Sequence, residues 1–144
     1  MGYLATTWQF WALLAALFAA LTAVFAKLGV STIDPDLATF LRTLVIVLLL
    51  GLIVLWKRSS ADLTTLTPHG AMFLVLSGLA TGASWLCYFR ALHLGDASKV
   101  APVDKLSVVF VAVIAAIFLG EHLSVSGWAG VGLIATGSIL VALS

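Results

Sequence analysis

The sequence predicts an all-α, polytopic membrane protein built as a bundle of five transmembrane helices. Of its 144 residues, 62% are hydrophobic and 9% are charged, whereas a soluble domain has about 25% charged residues. So few charges cannot cover a soluble globule, which excludes a soluble enzyme, a nucleic-acid-binding protein and a disordered chain. A span needs about 20 residues, so residues 1–144 are expected to form a single domain of five spans.

The first two spans are bounded by helix-end signals. The first runs from about Trp8 to Leu28, and Gly29 is placed to end it as a C-cap. The second runs from about Leu37 to Trp56, and Asp36 is placed to cap its N-terminus. The connection between them is short, so we expect these two helices to be antiparallel neighbours.

The third span opens on a cap followed by a proline. Thr67 is expected to be the N-cap and Pro68 the first helical residue, because proline is favoured at that position. The span then runs to about Leu92, and Gly95 ends it. Its apolar run is too long for a barrel strand and lacks a period of two, so strands are not expected.

The last two spans are separated by a tight turn at Gly120-Glu-His122. The fourth span, capped by Asp96 or Ser98, is expected to continue to about Leu119. The fifth runs from about Ser126 to Leu143.

Stripes of small residues are predicted to be surfaces for helix packing or dimer formation, because they let helix backbones approach closely in lipid. They are Gly78 and Gly82 in the third span, and Gly127, Gly130 and Gly137 in the fifth.

Five charged residues lie in or near the spans and fall toward one side of the predicted membrane. They are Lys27, Arg42, Arg90, Asp104 and Lys105. A charge at the centre of a span costs about 2.5–3.5 kcal/mol, so such residues are expected to have a function. With Trp85 and Tyr88 they predict a polar, aromatic-lined vestibule. Four cations against one carboxylate favour an anionic or zwitterionic solute.

A structural alternative remains open for the long cations, because lysine and arginine near a helix end can simply reach the water. This applies to Lys27, Arg42 and Arg90. Asp104 and Lys105 are expected to have an interior role and partners on other helices, since adjacent residues of a helix do not face each other.

The sequence gives no sign of a cofactor or of catalysis. No Cys, His and carboxylate spacing resembles a metal site, and no nucleophile triad or phosphate-binding loop is present. The net charge of +1 implies no nucleic-acid partner. We therefore expect neither an enzyme nor a metalloprotein.

The C-terminal part of the chain resembles the signature of EamA-type proteins of the drug/metabolite transporter superfamily. The segments that carry the resemblance are Ala101–Val109, Phe118–Ser124 with its Leu-Gly-Glu-x-Leu-Ser turn, and the glycine-rich Gly130–Gly137. Trp85–Leu92 resembles the end of that family's third helix, and the five-span layout matches over the whole chain. Ser107-Val108 stands where the family often has Pro-Val.

The resemblance implies a half-size, five-span member that exports small metabolites as a secondary transporter. Five spans make half of a ten-span carrier, so a homodimer is expected, and antiparallel pairing would mimic the family's inverted repeat. Alternating access and residence in the inner membrane of a prokaryotic cell follow from the same resemblance. The alternative functions are an accessory membrane subunit without transport activity, and a channel or lipid flippase.

Overall fold

The computed structural model describes residues 7–57 and 66–144. Within these ranges every regular element is a helix, and five helical runs are long and apolar enough to cross a membrane, so the prediction of an all-α membrane protein is confirmed. The helices are α1 (Trp8–Val30), α2 (Pro35–Trp56), α3 (Pro68–Leu94), α4 (Ala97–Asp104), α5 (Ser107–Ile114), a π-helical turn (Ala115–Leu119) and α6 (Val125–Leu143).

Two compact units make up the chain. One comprises Met1–Lys27 with Leu94–Ser144, and the other comprises Leu28–His93. In the first unit, α4 and α5 both pack against α6, and Ala115 and Ser138 are buried.

The second unit has a small core at the ends of α1 and α3. Val30 and Leu92 are completely buried, and Phe89 is nearly so. Phe89 and Leu92 are three residues apart on α3 and therefore share a face. His93 Nδ1 lies 3.0 Å from the carbonyl oxygen of Val30, which is a hydrogen bond when that nitrogen carries the proton.

The prediction that Gly29 ends α1 is wrong, because the helix continues through it to Val30. A glycine C-cap needs a left-handed backbone, and in the described part of the chain only Gly120 has a glycine φ of that kind. The burial of Val30 and the contact of its carbonyl with His93 hold this last residue in place.

The prediction that Asp36 caps α2 is also wrong. Asp34 is the cap, and its Oδ1 accepts hydrogen bonds of 3.0 Å from the backbone N–H groups of Asp36 and Leu37. Pro35 is the first helical residue, where its missing N–H is not needed. The helix therefore begins two residues earlier than predicted.

The start of α3 agrees with the prediction. Thr67 Oγ1 accepts a hydrogen bond of 3.1 Å from the backbone N–H of Gly70, and Pro68 is the first helical residue. At the start of α6, Ser124 caps the helix by accepting from the N–H of Gly127 at 3.2 Å. That helix starts at Val125, one residue before the predicted Ser126.

The fourth span was predicted as one helix, but it is interrupted after Asp104. Leu106, Val108 and Val109 donate their N–H groups to carbonyls three residues back rather than four. These bonds tighten the backbone into a 3₁₀ turn between α4 and α5, a device that is common at mid-helix hinges. Asp96 precedes α4, but its side chain makes no capping hydrogen bond.

The C-terminal part of this span is also irregular. The π-helical turn ends at Gly120, whose φ of 67° is left-handed, and Glu121 donates its N–H to the carbonyl of Ala115 at 3.2 Å. Gly120, the first residue of the predicted turn, therefore ends the helix in a backbone conformation that favours glycine.

Candidate functional site

Asp104 and Lys105 form an ion pair at the interruption of the fourth span. Lys105 Nζ lies 3.3 Å from Asp104 Oδ2. The prediction that adjacent residues would not pair with each other is wrong here, because Asp104 is the last residue of α4 and Lys105 lies outside the regular helix. About half of the Lys105 side chain and a third of that of Asp104 remain accessible.

Arg42 of α2 lies against two aromatic rings of α3. Its guanidinium carbon is 4.0 Å from the centre of the Trp85 ring and 5.4 Å from that of Phe89. Trp85 and Phe89 are four residues apart and so present their rings on one face of α3. A cation this close to a ring face is attracted by the ring quadrupole.

Trp85 differs from the other four tryptophans in how much of its side chain is buried. It is half-buried, whereas the others are exposed, as expected for rings that anchor a protein at membrane interfaces. Tyr88 of the same helix is half-buried and lies close enough to Arg42 for an electrostatic interaction.

Arg90 is bound by a carboxylate. Its Nε donates to Asp36 Oδ1 at 3.2 Å and its Nη2 to Asp36 Oδ2 at 2.8 Å. This two-point geometry is the strong form of an arginine–carboxylate contact. Both side chains are at least half exposed, so Arg90 reaches out of the packed interior and meets a partner there.

Lys27 of α1 donates from Nζ to the carbonyl oxygen of Gly95 at 2.8 Å. Gly95 directly follows α3, where the last carbonyls of a helix lack partners within the helix. The ammonium group therefore satisfies backbone at the end of a helix, which is the place where a positive charge is also favoured by the helix dipole.

The predicted site residues consequently fall into local groups. Arg42, Trp85 and Tyr88 lie together, Arg90 is held by Asp36, and Asp104 is paired with Lys105. A common vestibule that joins these groups stays a prediction. Two partners were not predicted, namely Asp36 for Arg90 and Phe89 for Arg42. The spacing of four residues between Trp85 and Phe89 was a signal for the second.

The glycine stripes differ in what surrounds them. A methyl group added at Gly127 would meet Leu123 Cδ2 at 3.1 Å, whereas at Gly78, Gly82, Gly130 and Gly137 it would meet nothing within 4 Å. Those four positions are thus open along the described chain, and their role in packing with a second copy remains a prediction. In residues 7–57 and 66–144, no three His, Cys, Asp or Glu side chains cluster as a metal site would require.

Five spanning helices with ion pairs inside them define a multi-pass membrane protein. Its sequence matches the EamA-like transporter family over residues 6–143, and the chain therefore belongs to that family. This makes it a membrane transporter of the drug/metabolite type, which points to a role other than catalysis. A short chain with five helices fits a half-size member.

Two bacterial proteins illustrate the relationship. An uncharacterized transporter in the cobO 3' region of a Sinorhizobium species is 55% identical over 141 residues, which are 95% of this chain and 97% of that protein. The uncharacterized transporter YvbV of Bacillus subtilis strain 168 is 34% identical over 86 residues, 60% of this chain but 28% of that protein. No solved structure matches the chain significantly.

Proposed function

We propose that the protein is a secondary transporter that exports small metabolites across the inner membrane, and that it works as a homodimer by alternating access. The observation that carries this proposal is the interruption of the fourth span at Lys105, beside the Asp104–Lys105 ion pair. The remaining predicted residues, Lys27, Arg42, Trp85, Tyr88 and Arg90, are proposed to contribute to the same solute pathway.

At the interruption of the fourth span, Leu106, Val108 and Val109 keep their N–H groups bonded through 3₁₀ contacts, as a bilayer requires because lipid offers no hydrogen bonds. Transporters place substrate and coupling-ion sites at such discontinuous helices. The partly accessible Asp104 and Lys105 give this break a carboxylate and an ammonium group that can exchange protein partners for a solute.

The proposal of a dimer rests on size and on the open glycine positions. Five spans correspond to one repeat of a carrier, and two antiparallel copies would reproduce an inverted repeat. Gly78 and Gly82 are exposed on α3 and open to at least 4 Å, so a second helix could approach them closely.

A flux assay in proteoliposomes tests the function. Purified protein is reconstituted and challenged with a panel of radiolabelled metabolites, with and without a pH gradient. We expect flux in the wild type that is lost in Asp104→Ala and in Lys105→Ala while the dimer persists. Lys99→Ala is the matched control, since it removes an exposed charge from the same helix, α4, and it should leave flux intact.

Each outcome of this assay has a distinct meaning. Unchanged flux in both Asp104→Ala and Lys105→Ala would contradict the assignment of the site while leaving transport in place. A well-folded dimer that moves no member of the panel, but co-purifies with a larger membrane protein, would favour an accessory subunit instead.

Membrane topology tests the antiparallel arrangement. In a Cys87→Ser background, single cysteines replace Ser98, which lies in α4, or Ser60, which lies outside the described residues. The antiparallel dimer predicts that each cysteine is labelled from both sides of the membrane. Labelling of each from one side alone would exclude it.

A further inference from the structure

We propose that Arg42 is the receptor for an oxyanion, namely the carboxylate or phosphate group of the transported solute, held in place by the rings of Trp85 and Phe89. This inference rests on the proposed transport function and specifies the class of its substrate.

The two arginines of α2 and α3 differ in how their charge is balanced. The second unit places two arginines in its spans, and one of them, Arg90, is neutralised by Asp36 through two hydrogen bonds. Arg42 has no such carboxylate in the described ranges 7–57 and 66–144, where its near neighbours are two rings and the phenol of Tyr88. A half-buried cation inside a span is costly unless something else compensates its charge.

The guanidinium of Arg42 has more hydrogen-bond donors than its neighbours can accept from. Aromatic rings attract its faces but accept its N–H groups poorly, and an arginine has five such donors. Among the residues that the structure describes, no atom accepts a hydrogen bond from Arg42, although Arg90 has two such bonds to Asp36. Within the described residues, no buried side-chain nitrogen lacks a hydrogen-bond partner, so the donors of Arg42 are accessible and can bind an acceptor that a solute brings.

The geometry of the Arg42 guanidinium indicates which kind of acceptor fits it. The guanidinium carbon of Arg42 lies over the Trp85 ring, 4.0 Å from its centre, and a guanidinium held in place can present two parallel donors along one edge. Carboxylates and phosphates match that edge with two oxygens, whereas a neutral amide or hydroxyl offers one. The contact with the rings therefore preorganises Arg42 for an oxyanion, and preorganisation reduces the entropy lost on binding.

Equilibrium binding tests this proposal without any need for transport. The full-length protein is placed in phosphatidylcholine nanodiscs and titrated calorimetrically with benzoate, succinate and glycerol 3-phosphate, and with their neutral counterparts benzamide, succinamide and glycerol. We expect saturable binding of at least one anion and none of its neutral counterpart. Arg42→Gln should weaken the affinity by about tenfold to a hundredfold, as for the loss of a charge-assisted hydrogen bond.

Two variants keep the result interpretable. Arg42→Lys retains the charge and the ring contact but loses the planar fork, so its affinity should fall between those of the wild type and Arg42→Gln. Lys99→Gln removes an equal charge elsewhere and should bind like the wild type. Equal affinity in all three variants, or binding of the neutral counterparts, would overturn the proposal.

Spectroscopy locates the bound anion and identifies its source. With the other four tryptophans changed to phenylalanine, the emission of Trp85 should change on saturation, and Arg42→Gln should abolish that change. Nanodiscs that contain phosphatidylglycerol test a lipid phosphate as the source. If that lipid changes the Trp85 emission and soluble anions reverse the change, lipid phosphate and soluble anion bind the same oxyanion site. If no anion alters the emission, the proposed site is overturned.

The same measurements separate this inference from the proposed function. Binding through Arg42 in a protein that shows no flux would support the oxyanion site and contradict transport. If the wild type transports an anion but Arg42→Gln binds that anion with the same affinity as the wild type, transport is supported and the oxyanion site is contradicted.

Discussion

Asp36 and Arg90 form a two-point ion pair that ties the first turn of α2 to the last turns of α3. The two contacts, 3.2 Å to Arg90 Nε and 2.8 Å to Arg90 Nη2, use both carboxylate oxygens of Asp36. Asp34, two residues earlier, uses its carboxylate to cap α2 instead. Two neighbouring aspartates therefore have separate structural roles, one local and one between helices.

The ion pair predicts a pattern of coupled mutations. Asp36→Asn and Arg90→Gln should each lower the midpoint of thermal unfolding in detergent, because each removes the charge of one partner and at least one of the two hydrogen bonds. The swapped pair Asp36→Arg with Arg90→Asp should recover part of the loss. Recovery is expected to be partial, since a cation in the first turn of α2 opposes the helix dipole.

A comparison of the single variants with the double variant tests whether Asp36 and Arg90 are energetically coupled. If the midpoint shifts of Asp36→Asn and Arg90→Gln simply add in the double variant, the two side chains are not coupled in solution. Lys99→Gln serves as the control for the loss of a single exposed charge.

The cap of α2 predicts a different response at Asp34. Asp34→Ala should lower the free energy of unfolding by about 1 kcal/mol, since two N–H groups lose their acceptor, whereas Asp34→Ser should be nearly neutral because serine is also a good N-cap. The measurement is an unfolding titration with sodium dodecyl sulfate, followed by circular dichroism. Equal losses in the two variants would show that the capping hydrogen bonds contribute nothing.

The left-handed backbone at Gly120 predicts a strained alanine. Gly120→Ala should cost about 1–2 kcal/mol of stability, because a Cβ is disfavoured at positive φ. Gly120→Asn should cost less, since asparagine adopts this conformation more readily. Gly51→Ala is the matched control, because Gly51 lies inside α2 with nothing within 4 Å of an added methyl group. An equal loss at both glycines would refute strain at Gly120.

The composition of the chain was sufficient to predict the class of fold and the number of spans, because apolar runs of this length are typical of membrane spans and not of soluble domains.

The residues at which the helices begin and end were predicted less accurately. The start of α3 follows from Thr67-Pro68, and the same rule applies to Asp34-Pro35, so the true cap of α2 was present in the sequence as a signal. The extension of α1 to Val30 depends on tertiary burial, which no local pattern contains.

The site was harder to predict for a physical reason. The apolar runs placed Arg42 inside a span and Arg90 near the end of one, but their partners come from another helix and are separated by tens of residues in the chain. The Asp104–Lys105 pair forms because the helix is interrupted between them and Ser107, and a continuous helix would have kept the two side chains apart. Partners and interruptions of this kind depend on packing rather than on composition.

Lys27 is predicted to stabilise the chain through the backbone of Gly95. Lys27→Met keeps most of the side-chain volume but removes the donor, and should cost about 1.5–3 kcal/mol, the usual range for a hydrogen bond from a charged group. Lys27→Arg should retain part of the contact. The same titration with sodium dodecyl sulfate measures both variants. A Lys27→Met protein as stable as the wild type would show that the 2.8 Å contact has no net effect.

Asp104 is predicted to carry any coupling of transport to protons. It lies at the end of α4, inside a spanning run that extends over Ala97–Leu119, and its carboxylate is partly accessible beside Lys105. Carboxylates inside membrane spans often belong to the proton relays of pumps and transporters. We expect a protonophore to lower flux through the wild type in proteoliposomes with an imposed pH gradient. Asp104→Asn should retain solute binding, and its residual flux should no longer respond to the protonophore. Wild-type flux that is independent of the gradient, or an Asp104→Asn protein that keeps the full response, would assign any coupling to another group.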